Sequence, residues 1–237
     1  YLVIKNDSIL YEKYYNGYGT DSKSNSFSVV KSVISALMGI AINEGAIQSL
    51  DQKVVDFIPE LKGPYAQEVT VGDLSSMASG QDWIEEYYNP FSVTSASYFV
   101  KDLDALILDQ QINQRPGESF QYKSGTTQLL GMVIKKATGK SLSVYMTEKL
   151  WQPMGAEYSA LWQLDSSENG MEKAFCCLAT NARDFARIGK LYKNYGRWNC
   201  TQLLDSAFIA RSIQPRFEED PEYGYGLWLD EFQDKKV

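Results

Sequence analysis

The sequence predicts an α+β fold, with strands contributed by its two ends and helices filling the middle. Three observations carry that prediction. The opening stretch "YLVIKNDSILYEKYYNG" reads as two strands joined at Asn6-Asp7, a hairpin turn pair. The middle of the chain holds successive segments with helical apolar spacing, punctuated by Gly45, Gly80 and Gly139. The late stretch "YGYGLWLDE" alternates as a strand does.

The elements follow in order. Residues 28–44 read as a helix that Gly45 ends. "SLDQKVVDFIPEL" is a connecting stretch closed by Pro59. "TVGDLSSMASG" opens with a Thr-x-x-Asp capping pattern and stops at Gly80, which predicts a short helix. "SASYFVKDLDALILDQQ" has the spacing of one further helix. "NQRPGESFQYKSG" predicts a turn at Pro116-Gly117 and a short extended piece. Helices are predicted over 125–138, 141–150, 180–195 and 205–213. No internal repeat, low-complexity tract or linker interrupts them. Three strands form a thin sheet with an exposed edge, so the natural chain is expected to continue beyond Val237 and supply more.

The chain has 237 residues, 44% of them hydrophobic, enough for a sizeable core in one domain or two intimate lobes. Net charge is -7 and no basic run occurs, which argues against a nucleic-acid partner. The longest apolar run, residues 29–42, is interrupted by Lys31, Ser32, Ser35 and Gly39, so no stable membrane insertion is expected of this chain. The cysteines are Cys176, Cys177 and Cys200; an odd count with one adjacent pair does not predict a disulfide framework. With no histidine and no spaced cysteine cluster, no zinc or transition-metal site is expected, and no EF-hand spacing appears. There is no signal peptide and no initiator Met, so the chain reads as an excised piece.

The chemistry concentrates in "SFSVVKS", residues 26–32. Ser28 stands at a helix start, where serine also serves as an N-cap, and Lys31 follows one turn later. The helix behind them is apolar nearly all round, through Val29, Val30, Val33, Ile34, Leu37, Met38, Ile40, Ala41 and Ile42, as a buried helix is. Ser28, Lys31, Ser32 and Ser35 form a polar stripe that stops after two turns, which predicts the floor of a pocket. A free lysine titrates near ~10.4 and is a poor base at neutral pH. Burial beside a helix N-terminus lowers that value and makes Lys31 a candidate acceptor for the Ser28 proton.

The segment "SFSVVKSVISALMGIAINEGAIQSLDQKVVDFIPEL" resembles the nucleophile segment of the serine β-lactamase/penicillin-binding-protein superfamily. Within it the likeness is to the branch of class C β-lactamases, esterases, D-amino-acid peptidases and nylon-oligomer (6-aminohexanoate-dimer) hydrolases. The resemblance continues through "VTVGDLSSMASGQDW", "RPGESFQYKSGTTQLLGMVIKKATGKSL", "LWQPMGAEYSALW" and "LATNARDFARIGKLYKNYGRW", and so covers essentially the whole chain. It implies a β-lactamase/transpeptidase-like fold: an antiparallel sheet flanked by helices, with an all-helical lobe inserted. The implied single domain is 1–237, truncated at its C-terminal side, with an α/β lobe of 1–47 plus about 160–237 and a helical lobe of about 48–160.

The resemblance also implies a site. The family's Tyr-x-Asn or Tyr-x-Ser motif matches Tyr122-Lys123-Ser124, which makes Tyr122 a catalytic partner of Ser28 and Lys31 and places Ser124 against Lys31 or substrate. Which of Lys31 and Tyr122 is the resting base stays open, because coupled groups titrate as a pair. Tyr-x-Ser departs from the Tyr-x-Asn of class C β-lactamases and points toward the esterase and nylon-oligomer side. The family's third motif, expected just after "GYGLWLDE", falls beyond Val237; Lys123-Ser124-Gly125 matches its letters but overlaps the second motif and is set aside. "SGQDWIEEYYNP" resembles a pocket-edge loop and makes Trp83 and Tyr87 candidate substrate-rim residues. Arg183 and Asp184 read as a helix-start salt bridge.

The activity implied is a serine hydrolase that cleaves an ester, amide or short peptide-like substrate through an acyl-enzyme on Ser28, with no cofactor. The alternatives are a true β-lactamase or D-amino-acid peptidase, a penicillin-recognising sensor that acylates without turnover, and a structural relative without activity. Relatives are often exported to the periplasm or cell envelope, and nothing in this chain reports either location or oligomeric state.

Overall fold

The computed structural model describes residues 1–232 and 235–236; residues 233, 234 and 237 of the expected domain lie outside the described residues. The chain opens with the predicted hairpin. Strands β1 (Leu2–Lys5) and β2 (Ser8–Glu12) pair antiparallel. Asn6 and Asp7 both take left-handed backbone, at φ 51° and 63°, as a two-residue turn matched to the twist of its strands requires. The short strand β3 (Ser24–Asn25) then leads into a 3-10 turn over Phe27–Val29 and helix α1 (Val30–Asn43).

Helix α1 is the centre of the core. Val30, Val33, Ile34, Leu37 and Met38 are fully buried, and burying a side chain of this size stabilises the fold by about 1.5–3 kcal/mol. The helix ends at Gly45, φ 75°, as its sequence requires. The predicted all-round apolar helix loosens at its two ends. Ile42 is only partly buried, and Val29, in the turn before the helix, is 58% exposed.

Every named element between residues 48 and 160 is helical. Helix α2 (Val71–Ser75) begins with the expected capping box: Asp73 N–H donates to Thr70 Oγ1, and Thr70 N–H donates to the Asp73 carboxylate. The single helix expected over "SASYFVKDLDALILDQQ" is instead two, α3 (Val93–Ser97) and α4 (Leu103–Leu108). Asp102 causes the break by accepting from the Ala105 N–H and so starting a new helix. Helix α5 (Ser124–Thr138) buries Leu129, Leu130, Met132, Val133 and Ile134 in the core and is closed by Gly139 at φ 66°. Helix α6 (Leu142–Met146) runs on into a π-helical turn, Thr147–Trp151.

The second half returns to mixed structure. Strands β4 (Leu161–Trp162) and β5 (Leu178–Thr180) join β3 in an antiparallel sheet of order β3-β5-β4. Helix α7 (Ala182–Lys193) follows, then strands β6 (Arg197–Trp198) and β7 (Thr201–Gln202), helix α8 (Ser206–Ser212), and strands β8 (Glu231–Phe232) and β9 (Lys235–Lys236). The antiparallel sheet expected from the chain ends is thus several small antiparallel pieces among the described residues.

Two local expectations change, and one cysteine pairing is added. "YGYGLWLDE" is a tight turn rather than a continuous strand: Gly224 N–H donates to Leu227 O, Tyr223 bridges Trp228, and Gly226 sits at φ 76°. Arg183 and Asp184 do not pair with each other. Arg183 forks onto Glu12, and the buried Asp184 accepts from the Glu157 and Tyr158 N–H groups and pairs with Arg187. Adjacent Cys176 and Cys177 are bonded to each other, while Cys200 is free and exposed. Among the described residues no helix is long and apolar enough to cross a membrane.

Candidate active site

Ser28 owes its position to an irregular approach. Ser26 N–H donates to Leu178 O, which ties the chain to β5. Phe27 then adopts φ 45°, a left-handed conformation that a bulky residue avoids unless its surroundings enforce it. The kink swings Ser28 to the head of α1, where it is half-buried.

Lys31, one turn further, is only 3% exposed. Its Nζ donates to Ser28 Oγ at 3.1 Å, to Ser124 Oγ at 3.3 Å and to Phe175 O at 2.8 Å. Burial pulls its pKa down from 10.5 to about 8, against the opposing pull of the nearby Glu85 charge. The polar stripe seen in the sequence divides in two. Ser28 and Lys31 face the site. Ser32 and Ser35 donate to the carbonyls of Gly226 and Tyr225, at 2.8 and 2.6 Å, and anchor the 223–228 turn on α1.

Tyr122 lies just before α5 with its ring centroid 5.2 Å from Lys31 Nζ. Desolvation raises its pKa above the ordinary tyrosine value, while hydrogen bonds to Ser28 and Trp228 pull it back. Its ring is part of an aromatic cluster with Tyr223 and Trp228, at centroid separations of 6.1 and 5.4 Å. The anchored 223–228 turn therefore forms one wall of the site.

Ser124, the first residue of α5, is buried and reaches Lys31 as expected. Trp83 does not lie on the rim. It is 3% exposed, packs under Gly125, and sends its indole N–H to Glu85 at 2.7 Å. A Cβ on Gly125 would stand 2.4 Å from the Trp83 ring, so this glycine admits the indole. Tyr87 is half exposed and donates to the other oxygen of the same carboxylate. Lys123 turns away, with Nζ on Gln81 O at 2.5 Å, in keeping with setting its Lys-Ser-Gly run aside.

Two residues at this centre escaped the sequence reading. Glu85 accepts from Ser124 N–H at 2.7 Å and from Ser124 Oγ at 2.6 Å, besides Trp83 and Tyr87. Trp228 stacks on Tyr122. Glu85 is one of three acidic residues in "DWIEE", and only the fold distinguishes it. Trp228 lay in the stretch read as a strand.

A serine at a kinked helix head, a buried lysine bonded to it and a tyrosine ring beside that lysine form an arrangement in which a hydroxyl can be activated as a nucleophile. The family model described as Beta-lactamase matches residues 1–234, and the chain belongs to that family. Among its relatives is the 6-aminohexanoate-dimer hydrolase of Paenarthrobacter ureafaciens, 27% identical over 206 residues, which are 83% of this chain and 52% of that protein. The chain thus spans about half the length of that curated relative. A solved Bacillus anthracis structure, provisionally named a 6-aminohexanoate-dimer hydrolase, superposes with TM-score 0.81 at 25% identity over 100% of this chain and 64% of its own. The octameric penicillin-binding protein homologue from Pyrococcus abyssi shares the fold, with TM-score 0.73 at 20% identity over 99% of this chain and 61% of its own. The fold is β-lactamase/transpeptidase-like.

Proposed function

We propose that this chain carries the acylating centre of a serine hydrolase that cleaves esters or amides of small or short peptide-like molecules. The observation that carries the reading is the 3.1 Å contact between Ser28 Oγ and the Nζ of a lysine almost fully removed from water. Neutral Lys31 takes the Ser28 proton as Oγ attacks the substrate carbonyl carbon. The oxyanion is held in part by the Ser28 backbone N–H at the helix head. Tyr122 passes the proton to the leaving alcohol or amine as the carbonyl–heteroatom bond breaks. Water then attacks the acyl-enzyme by the reverse proton path and releases the acid. Ser124 and Tyr87 border the substrate, and Trp83 supports them from behind. The helices between about 48 and 160 form one lobe facing the site, and the chain ends form the other.

The names of the relatives favour an amide of an aliphatic amino acid over a β-lactam. So does Ser124, which stands where class C β-lactamases carry asparagine and reaches less far. The test is turnover of p-nitrophenyl acetate and butyrate, with nitrocefin alongside, by the protein that carries this chain and by its Ser28→Ala variant. Turnover that Ser28→Ala abolishes supports a hydrolase. A single burst without turnover indicates a sensor. No labelling of Ser28 refutes the reading.

A further inference from the structure

Lys31 has three hydrogen-bond neighbours: Ser28 Oγ, Ser124 Oγ and Phe175 O. An ammonium can donate to all three. The neutral amine keeps two N–H bonds and one lone pair, so one neighbour must donate to it. Phe175 O is a carbonyl and can only accept. Both serines are able to donate, and catalysis requires that Ser28 be the one that does.

Glu85 decides between them. Its carboxylate meets four donors: the Ser124 N–H at 2.7 Å and the Trp83 indole N–H at 2.7 Å on Oε2, and the Ser124 and Tyr87 hydroxyls on Oε1, the former at 2.6 Å. A carboxylate only accepts, so the Ser124 proton is committed to Glu85. The same carboxylate sits at the N-terminus of α5, where the helix dipole favours a negative charge. All its strong acceptor directions are engaged by the protein, which leaves none to receive a substrate cation.

We propose that Glu85 is a positioning residue for the reaction: by holding the Ser124 proton it leaves Ser124 able only to accept from Lys31, and so turns the lone pair of the neutral amine onto the Ser28 hydroxyl. The inference rests on the serine-hydrolase reading above. Glutamine at this position would reverse the arrangement. Its single carbonyl oxygen would face the two N–H donors, which cannot turn. Its NH2 would face the two hydroxyls, which can. Ser124 would then accept from the glutamine and donate to Lys31, and the lone pair would be spent on the wrong serine.

The groups facing Lys31 are few. Glu85 faces it from the 83–91 loop and is the charge acting on it. Tyr87 lies on that carboxylate, Tyr122 faces the amine from before α5, Tyr98 approaches from the end of α3, and Tyr223 backs Tyr122. Burial raises the pKa of all four tyrosines, so Lys31 is the group that changes charge between neutral and mildly alkaline pH. Removing the Glu85 charge must lower the Lys31 midpoint, since that charge raises it.

The test is the pH dependence of the acylation rate with p-nitrophenyl acetate, in wild type, Glu85→Gln, Ser124→Ala and the double variant, with thermal midpoints recorded for each. The expected result for Glu85→Gln is an alkaline plateau lower by about 10²-fold, the scale of a misdirected general base, with a midpoint moved to lower pH. A loss of packing alone would let water reach Lys31 and move that midpoint to higher pH instead. Because Glu85 acts through the Ser124 hydroxyl, the glutamine change should have no further effect on the plateau in the Ser124→Ala background. That comparison also carries the test if Glu85→Gln alone is poorly folded. A Glu85→Gln plateau within twofold of wild type, or an equal loss with and without Ser124, overturns the proposal. Absence of any Ser28-dependent acylation in wild type would instead overturn the hydrolase reading beneath it.

Discussion

Moving the pH across the Lys31 titration probes the base directly. A lysine of ordinary pKa, 10.5, is neutral in roughly one molecule in three thousand at pH 7. With the value drawn down to about 8 by burial, roughly one in eleven is neutral, a gain of about 300-fold in competent base. The sign follows from the lysine being needed uncharged: acylation should rise tenfold per pH unit below about 8 and level off above it. The assay is stopped-flow acylation by p-nitrophenyl acetate between about pH 6 and 10, with buffer hydrolysis subtracted. Lys31→Ala should lower the plateau by about 10²–10⁴-fold and remove the break. A profile still climbing past pH 10, or one flat throughout in wild type, would show that the amine is not a desolvated base and would refute the reasoning.

Other consequences lie at a distance from that proton. Gly226→Ala would place a Cβ 2.5 Å from that of Ser35 at φ 76°, so the 223–228 turn should lift from α1; denaturant unfolding should show a loss of about 1–3 kcal/mol, with acylation slowed as Trp228 leaves Tyr122. Thr70→Ala removes one half of the capping box and should cost about 1 kcal/mol with acylation little changed, read by the same two assays. Arg183, then Tyr14, hold the Glu12 carboxyl down to about 2 by hydrogen bonds. Its contribution to the seating of β2 is therefore complete above pH 4.5 and is lost as pH falls toward 2; in an NMR titration, Arg183→Ala should return the Glu12 midpoint toward the ordinary carboxylate range.

What was legible in the sequence was local. Asn6-Asp7 announces its turn because few other pairs accept two left-handed residues. Thr70 and Asp73 announce a helix start because both partners lie within one turn. Ser28 and Lys31 are three residues apart on one helix, so their meeting needed only the helical period. The family pattern added Tyr122 and Ser124, which no period connects to them. Glu85 was out of reach, because the contact that gives it a role crosses 39 residues of chain. The 223–228 turn misled for a related reason. Its alternation is that of a strand, but Ser32 and Ser35 capture the carbonyls of Tyr225 and Gly226 from 190 or more residues away. Those two serines were visible as a polar stripe, yet a stripe does not reveal whether it meets substrate or backbone. Trp83 shows the same ambiguity in an aromatic. Its place beneath α5 depends on Gly125 leaving room for it.

The central claim is that Ser28 becomes acylated because a buried Lys31, in its neutral form, takes its proton. Intact-protein mass spectrometry after brief exposure to p-nitrophenyl butyrate at pH 8, followed by peptide mapping, tests it most directly. One butyryl adduct on Ser28, absent in Ser28→Ala and strongly reduced in Lys31→Ala, is the result the account requires. An adduct on another residue, or one that forms on Ser28 at an undiminished rate without Lys31, would contradict it.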